Sequence, residues 1–414
     1  MNSEDIKLLD TQNVMQTYGR FDVVIDHGEG STLYSPEGKK YIDFTSGIGV
    51  NCLGYGNKKW ADAVYNQATK LQHISNLYYS EPYVKLASEL TARTGMSNVF
   101  FANGGGEANE GMIKCARKYS FDKYGRGRST IISLLQSFHG RTITTLAATG
   151  QEQFHNYFFP FTDGFIHAPA NDIRALTAIL DDRAPAETGT DGAQESITTA
   201  GPHDGVCAVM VELIQGEGGV LPLDPAYVQA VAKLCAERDL LLLVDEVQTG
   251  VGRTGTLFAF QQFGVVPDAV SFAKGIAGGL PMGGILANEK CSEVLTPGTH
   301  ATTFGGNPVA AAGALEVLDR LDDALLSEVT KKGDYIKNEL KSWKLPVIGE
   351  IRGKGLMIGV SLNGAAPKEV AQICVEKGLL ILTAGTDALR MLPPLTITYD
   401  EIDKGLATLR NVLV

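Results

Sequence analysis

Lys274 follows directly on an apolar run, Ala269-Val-Ser-Phe-Ala273, and precedes Gly275-Ile-Ala-Gly-Gly279. An amine delivered by a buried strand is partly desolvated, which lowers its pKa and suits it to Schiff-base chemistry. The glycines after it let a bulky ligand approach the backbone. One strand earlier, Leu240-Leu-Leu-Leu-Val244 ends in Asp245-Glu-Val-Gln248. That carboxylate stands where open α/β sheets bind their ligands. Earlier again, the run 98–102 opens through Asn103-Gly-Gly-Gly106 into a strong helix former. Glycines before a helix N-terminus expose backbone N–H groups to an anion. This loop is neither a P-loop nor GxGxxG. Lysine, carboxylate and anion cradle are the three groups that pyridoxal phosphate requires: a partner for its aldehyde, one for its ring nitrogen and one for its phosphate. Taken singly, each has a plainer reading, as a surface lysine, a helix cap and a flexible turn.

The elements that must position these groups follow from the apolar pattern. Candidate strands are 98–102, 130–135, 206–212, 240–244, 269–273 and 284–287. They alternate with helical stretches, and their continuous apolar runs predict a mostly parallel sheet covered on both faces. Before them, a short helix leads to a strand–turn–strand around Ser35-Pro-Glu-Gly38. After about residue 310 a long helical stretch precedes strands at 355–362, 378–382 and 389–392 and a closing helix. The expected organisation is an N-terminal segment (1–60), a large cofactor-binding domain (61–308) and a smaller α+β domain (309–414), to which the N-terminal segment contributes. The stretch 184–205, rich in Ala, Gly, Thr, Ser and Asp, reads as an exposed insertion.

Composition narrows the function. The 414 residues carry 36 Lys plus Arg against 47 Asp plus Glu, a net charge of −11 that disfavours coating of nucleic acid or anionic membrane. The 6 cysteines are scattered without CxxC spacing, which fits reduced thiols in a cytoplasmic protein better than a disulfide or metal framework. No metal site is expected. The opening MNSEDIKLLDTQ is acidic and has no targeting character, and no run of about 18 apolar residues occurs.

Longer motifs carry a resemblance. They are Ser75-Asn-Leu-Tyr-Tyr-Ser-Glu-Pro82, Ser137-Phe-His-Gly-Arg-Thr142, Gln215-Gly-Glu-Gly-Gly219, Asp245-Glu-Val-Gln-Thr-Gly-Val-Gly-Arg253, Ala273-Lys-Gly275 and Thr303-Phe-Gly-Gly-Asn-Pro308. Together they resemble the class III (ω-amino acid) pyridoxal-phosphate aminotransferases, nearest to the members acting on acetylornithine, from Tyr18 to about Leu413. The resemblance implies the fold type I transferase architecture, with a seven-stranded sheet. It also implies a cytoplasmic homodimer with shared active sites and a step of arginine biosynthesis. By this resemblance Lys274 carries the cofactor and shuttles the proton, Asp245 faces the ring nitrogen and Gln248 the 3-oxygen. Phe138 stacks on the ring, Gly105 and Gly106 hold the phosphate, and Thr303 reaches the phosphate of the neighbouring subunit. Arg141 is expected to clamp the distal carboxylate. Arg390 is expected to bind the α-carboxylate of glutamate and to pair with Glu217 when an ω-amine is bound. Thr302 is expected near the acylated substrate.

The implied reaction is ping-pong transamination of N2-acetyl-L-ornithine with 2-oxoglutarate. Ornithine, succinylornithine, succinyldiaminopimelate and 4-aminobutyrate are alternative donors, and an aminomutase or a non-catalytic cofactor-binding regulator is the alternative of another class. Three departures stand out: Gly104-Gly-Gly106 where the family has Ser-Gly-Ala, Leu213 where it has Pro, and Gly54-Tyr-Gly-Asn-Lys58 where Gly-His-x-His-Pro is frequent.

Overall fold

A computed structural model describes residues 1–181 and 205–414. Of the expected insertion at 184–205, all but Gly205 lies outside the described residues. The centre is a seven-stranded sheet. Its strands are β1 (Asn98–Ala102), β2 (Thr130–Leu134), β3 (Phe165–Ala168), β4 (Val206–Val211), β5 (Leu241–Asp245), β6 (Ala269–Phe272) and β7 (Gly283–Ala287). The spatial order is β1-β7-β6-β5-β4-β2-β3. Neighbours from β6 through β3 are parallel, whereas β7 runs antiparallel to both β6 and β1.

Alternation along the strands explains why they read as unbroken apolar runs. Leu242 and Val244 pack into one core cluster with Val209, Val211, Ile132 and Leu134. Leu241 and Leu243 pack into another on the opposite face, with Ala208, Met210 and Ile131. Both faces are therefore covered, as a parallel sheet requires. Helix α1 (Gly105–Tyr124), which follows β1, contributes Met112, Ile113, Cys115 and Ala116 to the second cluster.

Beyond the sheet, helices Pro308–Arg320 and Asp323–Ser342 lead to a four-stranded antiparallel sheet built from Ile348–Lys354, Met357–Leu362, Leu382–Ala384 and Ala388–Met391. The N-terminal hairpin, Thr32–Tyr34 with Lys40–Asp43, is completed by Leu379–Leu380, which pairs in parallel with Lys40–Asp43. Arg253, buried without an ion pair among the described residues, ties these parts to the central sheet. Its guanidinium donates to the carbonyls of Leu356 and Pro393 and to Ser46 Oγ. No described helix is long and apolar enough to cross a membrane.

Candidate active site

The site lies at the C-terminal ends of β4, β5 and β6. Val211 pairs with Val244, and Asp245 pairs with Ser271, so Glu212, Asp245 and Lys274 emerge at the same edge of the sheet. With Gly105, Gly106, Asn109, Phe138 and Gln248 they line one recess. Lys274 opens a short 3-10 turn with φ 43°, a left-handed conformation that disfavours a side chain and is retained where the surroundings enforce it. Burial pushes its amine below the ordinary lysine value, and the Arg390 guanidinium adds to the shift, while Glu217, Asp245 and Glu212 oppose it.

Asp245 is buried and saturated with donors. Oδ2 accepts from Asn109 Nδ2 at 2.7 Å and meets His139 Nδ1 at 2.8 Å. Oδ1 accepts from the Val247 amide at 3.0 Å and from Ser271 Oγ at 3.2 Å. These four contacts fix the orientation of the carboxylate. The adjacent Glu246 turns away, capping the amides of Ala259 and Phe260 at 2.7 Å each, and burial pushes it up to about 7. Of two neighbouring carboxylates only Asp245 faces the recess.

At the other end, α1 begins at Gly105, and the N–H groups of a first helical turn have no partner within the helix. A Cβ on Gly105 would stand 2.7 Å from Val247 Cγ1, so only glycine fits there. A Cβ on Gly104 would meet nothing within 4 Å, and this N-cap position makes no side-chain cap. Gly104→Ser therefore fits without strain and adds a hydroxyl donor at the cradle. We expect it to tighten pyridoxal phosphate binding about fivefold, worth one modest hydrogen bond. A fluorescence titration of apoprotein showing no tightening overturns this.

Arg390 is the other buried charge. Its guanidinium grips Glu217 in a two-point contact, at 2.7 Å (Nη1 to Oε1) and 3.1 Å (Nη2 to Oε2), and Nη1 also donates to Gln248 Oε1 at 3.1 Å. Burial raises Glu217, but Arg390 outweighs it and the net shift is downward. Arg390 Nε is buried without a partner. Arg141, by contrast, is exposed and forms no ion pair among the described residues. Its guanidinium lies over the rings of Phe154 at 4.3 Å and Phe138 at 5.5 Å. Such a cation is held in place by stacking with its donors left free.

The recess thus collects Lys274, Asp245, Gln248, Phe138, Gly105 and Gly106, with Glu217 and Arg390 hydrogen-bonded at its Gln248 side. Thr302 and Thr303 are not among its walls. Thr302 Oγ1 accepts from Asn103 Nδ2 at 3.1 Å, and Thr303 lines a separate surface groove with Ser75, Asn76, Tyr78 and Tyr79. Sequence reasoning gave no role to Asn109, His139 or Glu212. His139 stood inside a quoted motif, and Asn109 lies one turn into the glycine-led helix, but their common partner is more than 100 residues away. It also passed over the strap 46–49, where Ser46, Gly47, Ile48 and Gly49 all have positive φ. A Cβ on Gly49 would come within 3.9 Å of Lys274 Cδ.

Residues 14–413 match the Aminotransferase class-III family. The chain belongs to that family. Its curated class-III relatives include the acetylornithine aminotransferase of Haemophilus ducreyi, 50% identical over 100% of this chain and 99% of that protein. The succinylornithine transaminase of Photorhabdus laumondii is 41% identical over 93% and 92%. Among solved structures, the ornithine aminotransferase of Toxoplasma gondii ME49 superposes with a TM-score of 0.90 at 31% identity, covering 100% of this chain and 95% of that one. The acetylornithine aminotransferase of Elizabethkingia anophelis gives 0.84 at 30%, covering 100% and 99%.

Proposed function

We propose that this class-III aminotransferase moves the ω-amino group of N2-acetyl-L-ornithine to 2-oxoglutarate, yielding N-acetyl-L-glutamate 5-semialdehyde and L-glutamate. The observation that carries the reading is a pair of arginines in opposite states, Arg390 locked on Glu217 and Arg141 left open. The two half-reactions present different charges. An Nα-acylated donor with a free ω-amine brings its only carboxylate at the far end, where Arg141 meets it. Next to the amine it has none, so Arg390 must be neutralised by Glu217. Glutamate and 2-oxoglutarate carry a second carboxylate beside the reacting carbon, which displaces Glu217 from Arg390.

The recess fits pyridoxal phosphate by the chemistry of its donor set: an amine, an anchored carboxylate and a helix N-terminus that tolerates no Cβ at Gly105. When bound, this group supplies the carbonyl that accepts the amino group and the ring that delocalises charge. Lys274 would hold it and, with its lowered pKa, take and return a proton at Nζ. Asp245 would keep the ring nitrogen protonated, Gln248 would donate to the ring oxygen, and Phe138 would cover one ring face. Gly105 and Gly106 would hold the phosphate.

The protein is further proposed to work as a cytoplasmic homodimer with shared sites. Thr303 stands apart from Lys274 in its own subunit, within a groove flanked by the 97% exposed Tyr79. That placement suits service to a neighbouring subunit, with Thr302 beside the partner's acyl group. Six free, buried cysteines suit a reducing compartment.

Turnover of acetylornithine, succinylornithine, ornithine and 4-aminobutyrate, each with 2-oxoglutarate, tests the reading. Acetylornithine is expected to have the highest kcat/KM, and a faster free ornithine overturns the choice of donor. Arg141→Leu is expected to raise KM for acetylornithine and for 2-oxoglutarate alike by about 30-fold, the loss of a charge-assisted contact. It lowers the melting temperature by no more than about 2 °C, because the side chain is exposed and loses only its stack over Phe154 and Phe138.

A further inference from the structure

Glu212 follows directly on β4 and is 5% exposed, yet no step above uses it. Its two oxygens serve different loops. One accepts from the Phe138 amide at 2.8 Å, on the loop that follows β2 and carries Phe138, His139 and Arg141. The other accepts from the Gly216 amide at 3.2 Å, immediately before Glu217. The packing around Gly216 is tight: a Cβ there would lie 2.4 Å from the Gln248 carboxamide, itself hydrogen-bonded to Arg390. A single buried carboxylate therefore joins the backbone beneath the stacking ring to the backbone beneath the Glu217–Arg390 pair. Glu212 also sits beside Asp245, a like charge, and burial together with that neighbour drives it up to about 7, against the opposing pull of His139. A carboxylate kept at such a place by two backbone donors has a positional task.

We propose that Glu212 is a positioning residue that holds the Phe138 loop and the Gly216–Glu217 loop in one fixed relation, so that the closed Glu217–Arg390 pair stays aligned with the stacked ring. The proposal rests on the aminotransferase reading above. Its functional consequence is unequal. Both half-reactions use Arg141 on the Phe138 loop, but only the ω-amine half-reaction also needs Glu217 seated on Arg390. The ω-amine half-reaction therefore depends on the clamp at both ends, and the oxo-acid half-reaction at one.

The test compares cofactor-loaded wild type with Glu212→Ala and with Glu212→Gln, which keeps the shape and one acceptor. Hydrogen–deuterium exchange is followed on peptides spanning 134–141 and 213–219, and kcat/KM is measured for both substrates. Glu212→Ala is expected to speed exchange about tenfold in both peptides together, leaving the helix Pro225–Glu237 unchanged. Glu212→Gln does so to a smaller degree and carries the test should the alanine variant fail to fold. In both variants kcat/KM for acetylornithine falls more than kcat/KM for 2-oxoglutarate, by about tenfold against about threefold in Glu212→Ala. Acceleration confined to one loop, acceleration spread through the sheet, or equal losses in the two kcat/KM values overturns the proposal. Failure of the wild type to use any ω-amine defeats the functional reading alone, and the exchange measurement then decides Glu212 by itself.

Discussion

Lys274→Ala is expected to lower kcat by about 10⁴-fold or more while the protein still folds. No other side chain in the recess is a free amine, and the neighbouring acids are committed elsewhere. Asp245 is held by four donors, and Glu212 by two backbone amides. Lys274→Arg is not expected to rescue turnover, because a guanidinium holds its proton far more firmly than an amine whose pKa burial lowers. Steady-state rates with acetylornithine and 2-oxoglutarate check the first part. Borohydride treatment checks the second: it should fix the cofactor to the wild-type chain and not to either variant. Turnover within tenfold of wild type for Lys274→Ala removes the basis of the proposed function.

For Asp245→Asn the expected loss is about 10³-fold in kcat, the scale of removing one preorganised charge from a buried site. The substitution preserves size but places an amide where Asn109 Nδ2, His139 Nδ1, the Val247 N–H and Ser271 Oγ all point. One carboxamide has a single acceptor oxygen, so at least one of those donors faces an N–H₂ group. The charge proposed to face the ring nitrogen also disappears. KM for either substrate should change little, since Arg141 and the Glu217–Arg390 pair are untouched. A variant with wild-type kcat shows that Asp245 has only a structural role.

The residues that sequence reading found share a cause. Lys274, Asp245 and the glycines at 104–106 each follow a run of apolar residues, and a polar residue at that break must serve either solvent or a site. The run also set the strand ends to within a residue or two: Asp245 itself pairs with Ser271, one position beyond the expected 240–244. Among the described residues five strands escaped: His27–Glu29, Ile214–Gln215 and Leu221–Pro222 are only two or three residues long, and two others are longer. Phe165–Ala168 is four residues long and carries a buried histidine, and Ile348–Lys354 mixes charged and apolar residues because its faces are only partly covered. Neither pattern stands out from a loop. The antiparallel course of Gly283–Ala287 was equally illegible, since direction is set by the connection and not by strand composition. Asn109, His139 and Glu212 were hidden for another reason: each acts through a partner remote in sequence, and hydrogen bonds across such separations leave no local period.

The pairing of Leu379–Leu380 with Lys40–Asp43 sets an order of events during synthesis. Phe44 donates to Leu380, Leu392 donates back to Phe44, and Ser46 Oγ closes on Leu392. The strap that passes over Lys274 thus leaves the ribosome well before its anchors, Ser46 and Leu392 lying 346 residues apart. Closing so long a loop is entropically unfavourable until the far partner exists, so the nascent N-terminal hairpin must wait with its apolar face uncovered. A chain released at residue 389 would keep every catalytic group named here except Arg390, and still lack Leu392, the strap's anchor beside the amine.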